Sequence, residues 1–198
     1  MEHENNNVSE INAGAERALA NLSASIDVNH RFPMKVFIGE WSGFYFFDSE
    51  WIFDAQFIEI ARELLKIEGA QCACLVDLDM PTGLEESSFF IEGTVTSLEF
   101  QSFLSGSSTA AGVGWVHSVD RFGGTSDGGK WCIYCEKRNE IAVIAIRCND
   151  AQEKYLPALA QFRALPIDQA ISRPLSYGFT ERALSSDWRD ELLKQYKM

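Results

Sequence analysis

Positive charge is scarce in this chain. Its 198 residues include 17 Lys and Arg and three His against 29 Asp and Glu, a formal charge of −12. A chain so poor in cations is not built to bind nucleic acid, whose phosphates would be repelled rather than neutralised. Also missing is any apolar run near the roughly 20 residues needed to span a bilayer. The opening MEHENNNVSE has neither the basic nor the apolar region of a secretory signal. The expectation is a cytoplasmic protein with no membrane and no nucleic-acid partner. Catalytic signatures are lacking too: there is no GxGxxG, Walker A, HExxH, GxSxG or kinase set. What remains is 46% hydrophobic and 12% aromatic, ample for a core, so global disorder is excluded.

Five cysteines (Cys72, Cys74, Cys132, Cys135, Cys148) make an odd count, which favours free thiols over a disulfide framework. A four-thiolate zinc site from the first two pairs fits poorly. Cys72 and Cys74 have one intervening residue where zinc prefers two to four. Cys132 and Cys135, three apart in a strand, point to opposite faces. No metal and no cofactor is expected.

Residues 1–10 read as a loose tail and 11–198 as a single domain. Ile11, Ala15, Ala18, Leu19 and Leu22 keep helical spacing. A strand is expected at 35–38 and another at 44–47. Asp48 or Asp54 can serve as a helix N-cap, and the helix 57–67 stops at Gly69. Residues 70–78 read as a buried strand, 88–91 as a short strand or helix start, and 97–104 as a short helix. Residues 115–119 suit a strand, and the run Gly123 to Gly129 suits a loop by composition. A β-hairpin at 131–147 is followed by a helix to about 164, interrupted by Pro157, and by a last helix from Ser186 or Asp187. Hairpin pairing without strict βαβ alternation gives an α+β class: a mostly antiparallel sheet packed by helices, in a single domain.

The charge is uneven. Residues 1–100 carry a net −13 and residues 101–198 a net +1, and between Glu40 and Glu99 thirteen acids face only Arg62 and Lys66. The same region holds Trp41, Phe44, Tyr45, Phe46, Phe47, Trp51, Phe53 and Phe57. Side chains alternate along a strand, so these aromatics cannot all face one interior. Aromatics left outside among carboxylates have the composition of an interface anchor with a charged rim. The expected partner-binding residues are Trp41 and Tyr45 as anchors, with Asp48, Glu50, Asp77, Asp79, Glu85 and Glu86 as the acidic surface. The last four also suggest a divalent-cation loop, but Thr82 and Ser88 stand where a calcium loop needs glycine and a bidentate glutamate. His117 is the one candidate base within folded sequence. Asp120 lies three residues on, pointing away if 115–119 is a strand.

Three segments, FIGEWSGFYFF, KWCIYCEKRNEIAVIAIR and DWRDELLKQYK, resemble the immunity proteins of bacterial contact-dependent inhibition and polymorphic toxin systems. That resemblance implies a small acidic cytoplasmic α+β protein that neutralises one cognate protein toxin with a basic surface, often a nuclease. Two other readings stand beside it. One is a small enzyme using His117 with a cysteine or an acidic partner. The other is a scaffold or homo-oligomer subunit whose aromatics bury in a self-interface.

Overall fold

Two runs of β-preferring residues, Trp131–Glu136 and Ile141–Ile146, are buried at every position, as strands covered on both faces must be. They form the centre of the molecule. The computed structural model describes residues 2–80, 88–106, 114–147, 152–172 and 185–198, and only the backbone of residues 2–12. In chain order the elements are α1 (Glu2–Ser25), β1 (Gly43–Asp48), α2 (Phe57–Glu68), β2 (Cys72–Asp77), β3 (Ser88–Glu92), α3 (Ser97–Ser105), α4 (Trp115–Ser118), β4 (Arg121–Ser126), β5 (Trp131–Glu136), β6 (Ile141–Ile146), α5 (Gln152–Gln161), β7 (Leu165–Pro166), α6 (Ile167–Ala170) and α7 (Ser186–Tyr196). Short 3-10 turns follow β1 and β5 at Ser49–Phe53 and Lys137–Asn139.

The strands form one sheet in the order β3-β2-β4-β5-β6-β1-β7, with every neighbouring pair antiparallel. Alternation along each strand sends side chains to two separate cores. Phe47, Ala73, Leu75, Phe122, Ile133 and Ile144 meet α2, α3, α4 and α5 on one face. Phe44, Phe46, Cys74, Val76, Tyr134 and Val143 meet α1, α6, α7 and the segment 26–41 on the other. The class is therefore α+β, a single domain with an antiparallel sheet sandwiched by helices. No helix among the described residues is long and apolar enough to cross a membrane.

The helix at 57–67, the hairpin and the last helix lie where periodicity put them. Gly69, at φ 74°, ends α2 in the left-handed conformation that glycine tolerates. Other expectations are corrected. α1 begins at Glu2, inside the stretch read as a tail, rather than near Ser9. Residues 35–38 form only an isolated bridge, Ile26 with Phe37. Residues 115–118 are a helical turn, not a strand, and bury Trp115 and Val119 together at i,i+4 while His117 stays exposed.

The run Gly123-Gly124-Thr125-Ser126 is strand β4, not loop. Its glycines answer a packing demand. A Cβ on Gly123 would stand 2.9 Å from Ile26 Cδ1, and one on Gly124 would stand 2.8 Å from Leu75 Cδ2 and 2.9 Å from the Cys74 carbonyl oxygen. Glycine here permits close approach of α1 and β2 to the strand.

Candidate functional site

The strand register collects the acidic residues at one end of the sheet. Asp48 lies opposite Ile141, Ile141 opposite Glu136, Glu136 opposite Arg121, and Phe122 opposite Asp77. Asp48, Glu136 and Asp77 thus share one rim, with Glu50, Asp79, Asp120 and Glu140 in the adjoining turns. Four residues expected from sequence, Asp48, Glu50, Asp77 and Asp79, are brought to this rim.

Half of the rim is neutralised from within. Arg121, buried, donates through Nε to Asp79 Oδ1 at 2.7 Å and through its backbone N–H to Oδ2 at 3.1 Å. Its Nη1 donates to the Val28 and His30 carbonyls, at 2.8 and 3.3 Å. Arg31 bridges Asp79 and Asp120 at 3.0 and 3.2 Å. Asp77 is buried and accepts from the Asp79 N–H at 2.9 Å. Burial pushes its carboxyl above the usual range. Glu136, also buried, accepts from the Phe32 N–H and the Tyr134 hydroxyl, both at 2.7 Å, and from Asn139 at 2.5 Å. Burial and this carboxylate both push the Tyr134 hydroxyl up. These groups pin the segment 28–32 over the sheet, and their charges are satisfied there.

The other half is open. Asp48 caps the 3-10 turn by accepting from the Glu50 N–H at 2.9 Å. Glu140, at φ 55°, closes the β5–β6 turn beside them. Partial burial, then Asp48 and Glu50, push the Glu140 carboxyl upward. Burial is the larger cause of that shift, and the two neighbouring carboxylates add to it. Among the described residues, no Lys, Arg or His pairs with Asp48, Glu50 or Glu140. Trp51 follows Glu50 in the same turn, half-buried against the helical layer, with the Arg163 guanidinium 5.8 Å from its ring.

Glu140 and Trp51 were not among the expected site residues. Glu140 is far from Asp48 in sequence, so only the β1–β6 register reveals it. For Trp51 the signal was the cap at Asp48, which turns the chain out of the strand.

The two expected anchors lie elsewhere. Trp41 is only 7% exposed, donates to the Ile38 carbonyl at 2.9 Å, and is covered by the Arg147 guanidinium 4.2 Å from its ring. Tyr45 is half-buried in the helical layer facing α5, and its hydroxyl accepts from Gln152 Nε2. The idea that alternate aromatics of β1 must face outward fails because the sheet is covered on both sides. Glu85 and Glu86 lie outside the described residues.

The chemistry of the rival readings is also placed. Cys72, Cys74, Cys132 and Cys135 are free and buried in strands. Burial pushes the Cys72 and Cys74 thiols up to about 12 and raises those of Cys132 and Cys135 well above their ordinary value. A thiol held protonated is a poor nucleophile. Cys132 and Cys135 face opposite cores, and Cys148 lies outside the described residues. His117 and Asp120 line one shallow hollow of about 370 Å³ with Lys137 and Arg138. The Asp120 carboxylate is engaged by Arg31 at 3.2 Å and by the Arg138 N–H at 3.2 Å. Around Asp77 and Asp79, guanidinium groups stand where a cation would sit. Among the described residues no group of three or more His, Cys, Asp or Glu is arranged to hold a metal ion. No family model, curated protein or solved structure matches this chain.

Proposed function

We propose that this chain is a protein-binding inhibitor of the immunity type, which offers the open acidic rim at the β1–β6 end of the sheet to a basic toxin. The observation that carries the reading is the unneutralised trio Asp48, Glu50 and Glu140. Neighbouring acids Asp79 and Asp120 have guanidinium partners, whereas Asp48 and Glu50 crowd Glu140 and help to raise its proton affinity. Gathering like charge costs stability, and a basic partner is what returns it. Trp51, half-buried within that trio's turn, replaces Trp41 and Tyr45 as the aromatic anchor. The carboxylates would steer association, and a toxin that binds phosphates would meet them with its own cationic surface.

The test is to look for a toxin gene next to the one for this chain and to measure protection and complex formation with its product. Wild-type protein should form a one-to-one complex and restore growth of cells producing the toxin. Asp48→Asn, Glu50→Gln and Glu140→Gln combined with Trp51→Ala should lose both while keeping an unchanged fold by circular dichroism. Full protection by that variant would remove the rim from the reading.

A further inference from the structure

The acidic stretch from Glu40 to Glu99 holds only two cations, Arg62 and Lys66, and both line one hollow. They lie one turn apart on α2, an i,i+4 pair of like charges that costs a helix stability. Lys154, in the first turn of α5, joins them there, and Glu63 and Ile67 complete the wall. A cation near a helix N-terminus is also badly placed, because the helix dipole is positive at that end. Three cations are thus gathered where the fold gains nothing from their company.

The neighbouring carboxylates leave most of this charge standing. Glu63 lies three residues before Lys66, a spacing that often makes an ion pair. Its Oε2 instead accepts from Gln161 Nε2 at 2.5 Å. Glu59 accepts from Arg62 Nη1 at 2.6 Å, and the Val95 carbonyl accepts from Nη2. Those bonds fix the guanidinium without using all its donors, and its Nε, shielded from water, has no acceptor. Among the described residues, nothing ion-pairs or hydrogen-bonds with the exposed ammonium groups of Lys66 and Lys154. Ile67, half-buried, adds an apolar strip beside them.

We propose that this hollow binds a small organic phosphate, with the phosphate held by Lys66, Lys154 and Arg62 and the organic part lying on Ile67. Its volume of about 590 Å³ suits a small molecule. Lysines meet phosphate as point charges, and a fixed guanidinium adds directed donors. A dianion matches the two unpaired ammonium groups, whereas a single carboxylate would leave one of them unmatched. A nucleic acid fits badly, because phosphates beyond the hollow would meet a chain of net charge −12. The hollow shares no residue with the acidic rim, so this site does not depend on the inhibitor reading.

The probe is phenyl phosphate, titrated into the full-length chain by calorimetry and followed through backbone amide NMR shifts. Binding should saturate and move the amides of 62–67 and 152–158. Inorganic phosphate, which has nothing to lay on Ile67, should bind at least about fivefold more weakly. Lys66→Gln combined with Lys154→Gln should weaken phenyl phosphate at least about tenfold with an unchanged Tm, because neither ammonium group holds any part of the fold. Lys194→Gln, exposed on α7, should leave the affinity as it was. Absence of saturable binding, shifts confined to other elements, or full affinity in the double variant overturns the proposal. Inorganic phosphate binding as tightly as phenyl phosphate would mean an adventitious ion only, and tighter binding of a glutamate-rich peptide would make the hollow a docking site for an acidic protein. Either result also overturns it.

Discussion

Arg121 holds Asp79 twice, from Nε at 2.7 Å and from its own backbone N–H at 3.1 Å. The pairing turns a residue that reads in sequence as an acidic surface group into part of the frame. Arg121→Ala would leave Asp79 half-satisfied and free the Val28 and His30 carbonyls. We expect a loss of about 3 kcal/mol in urea denaturation, as for other buried ion pairs broken from one side. Arg31→Ala removes ion pairs whose side chains are 28–46% exposed, and should cost less than about 1 kcal/mol. Similar losses for the two would mean that the Arg121 cluster is not structural.

Glu68 at the end of α2 takes the Lys130 N–H at 2.6 Å and bonds the Ser126 hydroxyl, clamping the β4–β5 turn. Burial raises its carboxyl above the ordinary 4.5 despite those bonds. The folded state therefore holds its proton more tightly than the unfolded chain does. That contribution to stability is complete below about pH 4.5 and is lost as pH rises through the raised folded value. Glu68→Gln, which keeps the shape and both contacts, should flatten the fall in stability across this window. Parallel pH profiles for the two proteins would contradict the assignment.

On β1, Phe46 enters one core and Tyr45 the other. Phe46→Ala should destabilise by about 3–5 kcal/mol. Tyr45→Ala, at a half-buried site, should also cost about 2 kcal/mol rather than leave stability untouched. Chemical denaturation of the two variants decides this, and a neutral Tyr45→Ala would show that its face of the sheet is open.

Local patterns were legible in the sequence where they ran long. The helix at 57–67 with its Gly69 stop, the 131–147 hairpin and the acidic excess around Asp48 and Asp77 all lie where residue spacing placed them. What stayed hidden depends on distant parts of the chain. The second layer over β1 is closed by α7, whose Tyr196 hydroxyl accepts from the Val36 N–H at 2.9 Å, 160 residues away. That contact is invisible to any local window. Gly123 and Gly124 look like a turn until α1 and β2 are seen crowding them. The run 115–119 was too short to tell a period of two from one of 3.6.

The thiols give a chemical check on the buried strands. Cys72, Cys74, Cys132 and Cys135 should react with an aromatic disulfide reagent near pH 8 only after unfolding, because burial keeps them protonated. Chelator should leave the Tm unchanged. Rapid labelling of more than one of the five cysteines in the native protein, or a chelator-induced drop in Tm, would contradict this.

The most direct measurement of the proposed inhibitor role is the rate at which the chain associates with a purified candidate toxin as salt rises from about 0.01 to 0.15 M, while the screening length falls from roughly 30 to 8 Å. If the rim of Asp48, Glu50 and Glu140 steers the encounter, the association rate should fall by about tenfold or more, with dissociation little changed. Asp48→Asn, which keeps the cap on the Glu50 N–H, combined with Glu50→Lys and Glu140→Lys should abolish most of that dependence while changing the unfolding free energy by no more than about 1 kcal/mol. An association rate that is flat in salt, or equally salt-sensitive in the reversed variant, would contradict the rim as the binding surface.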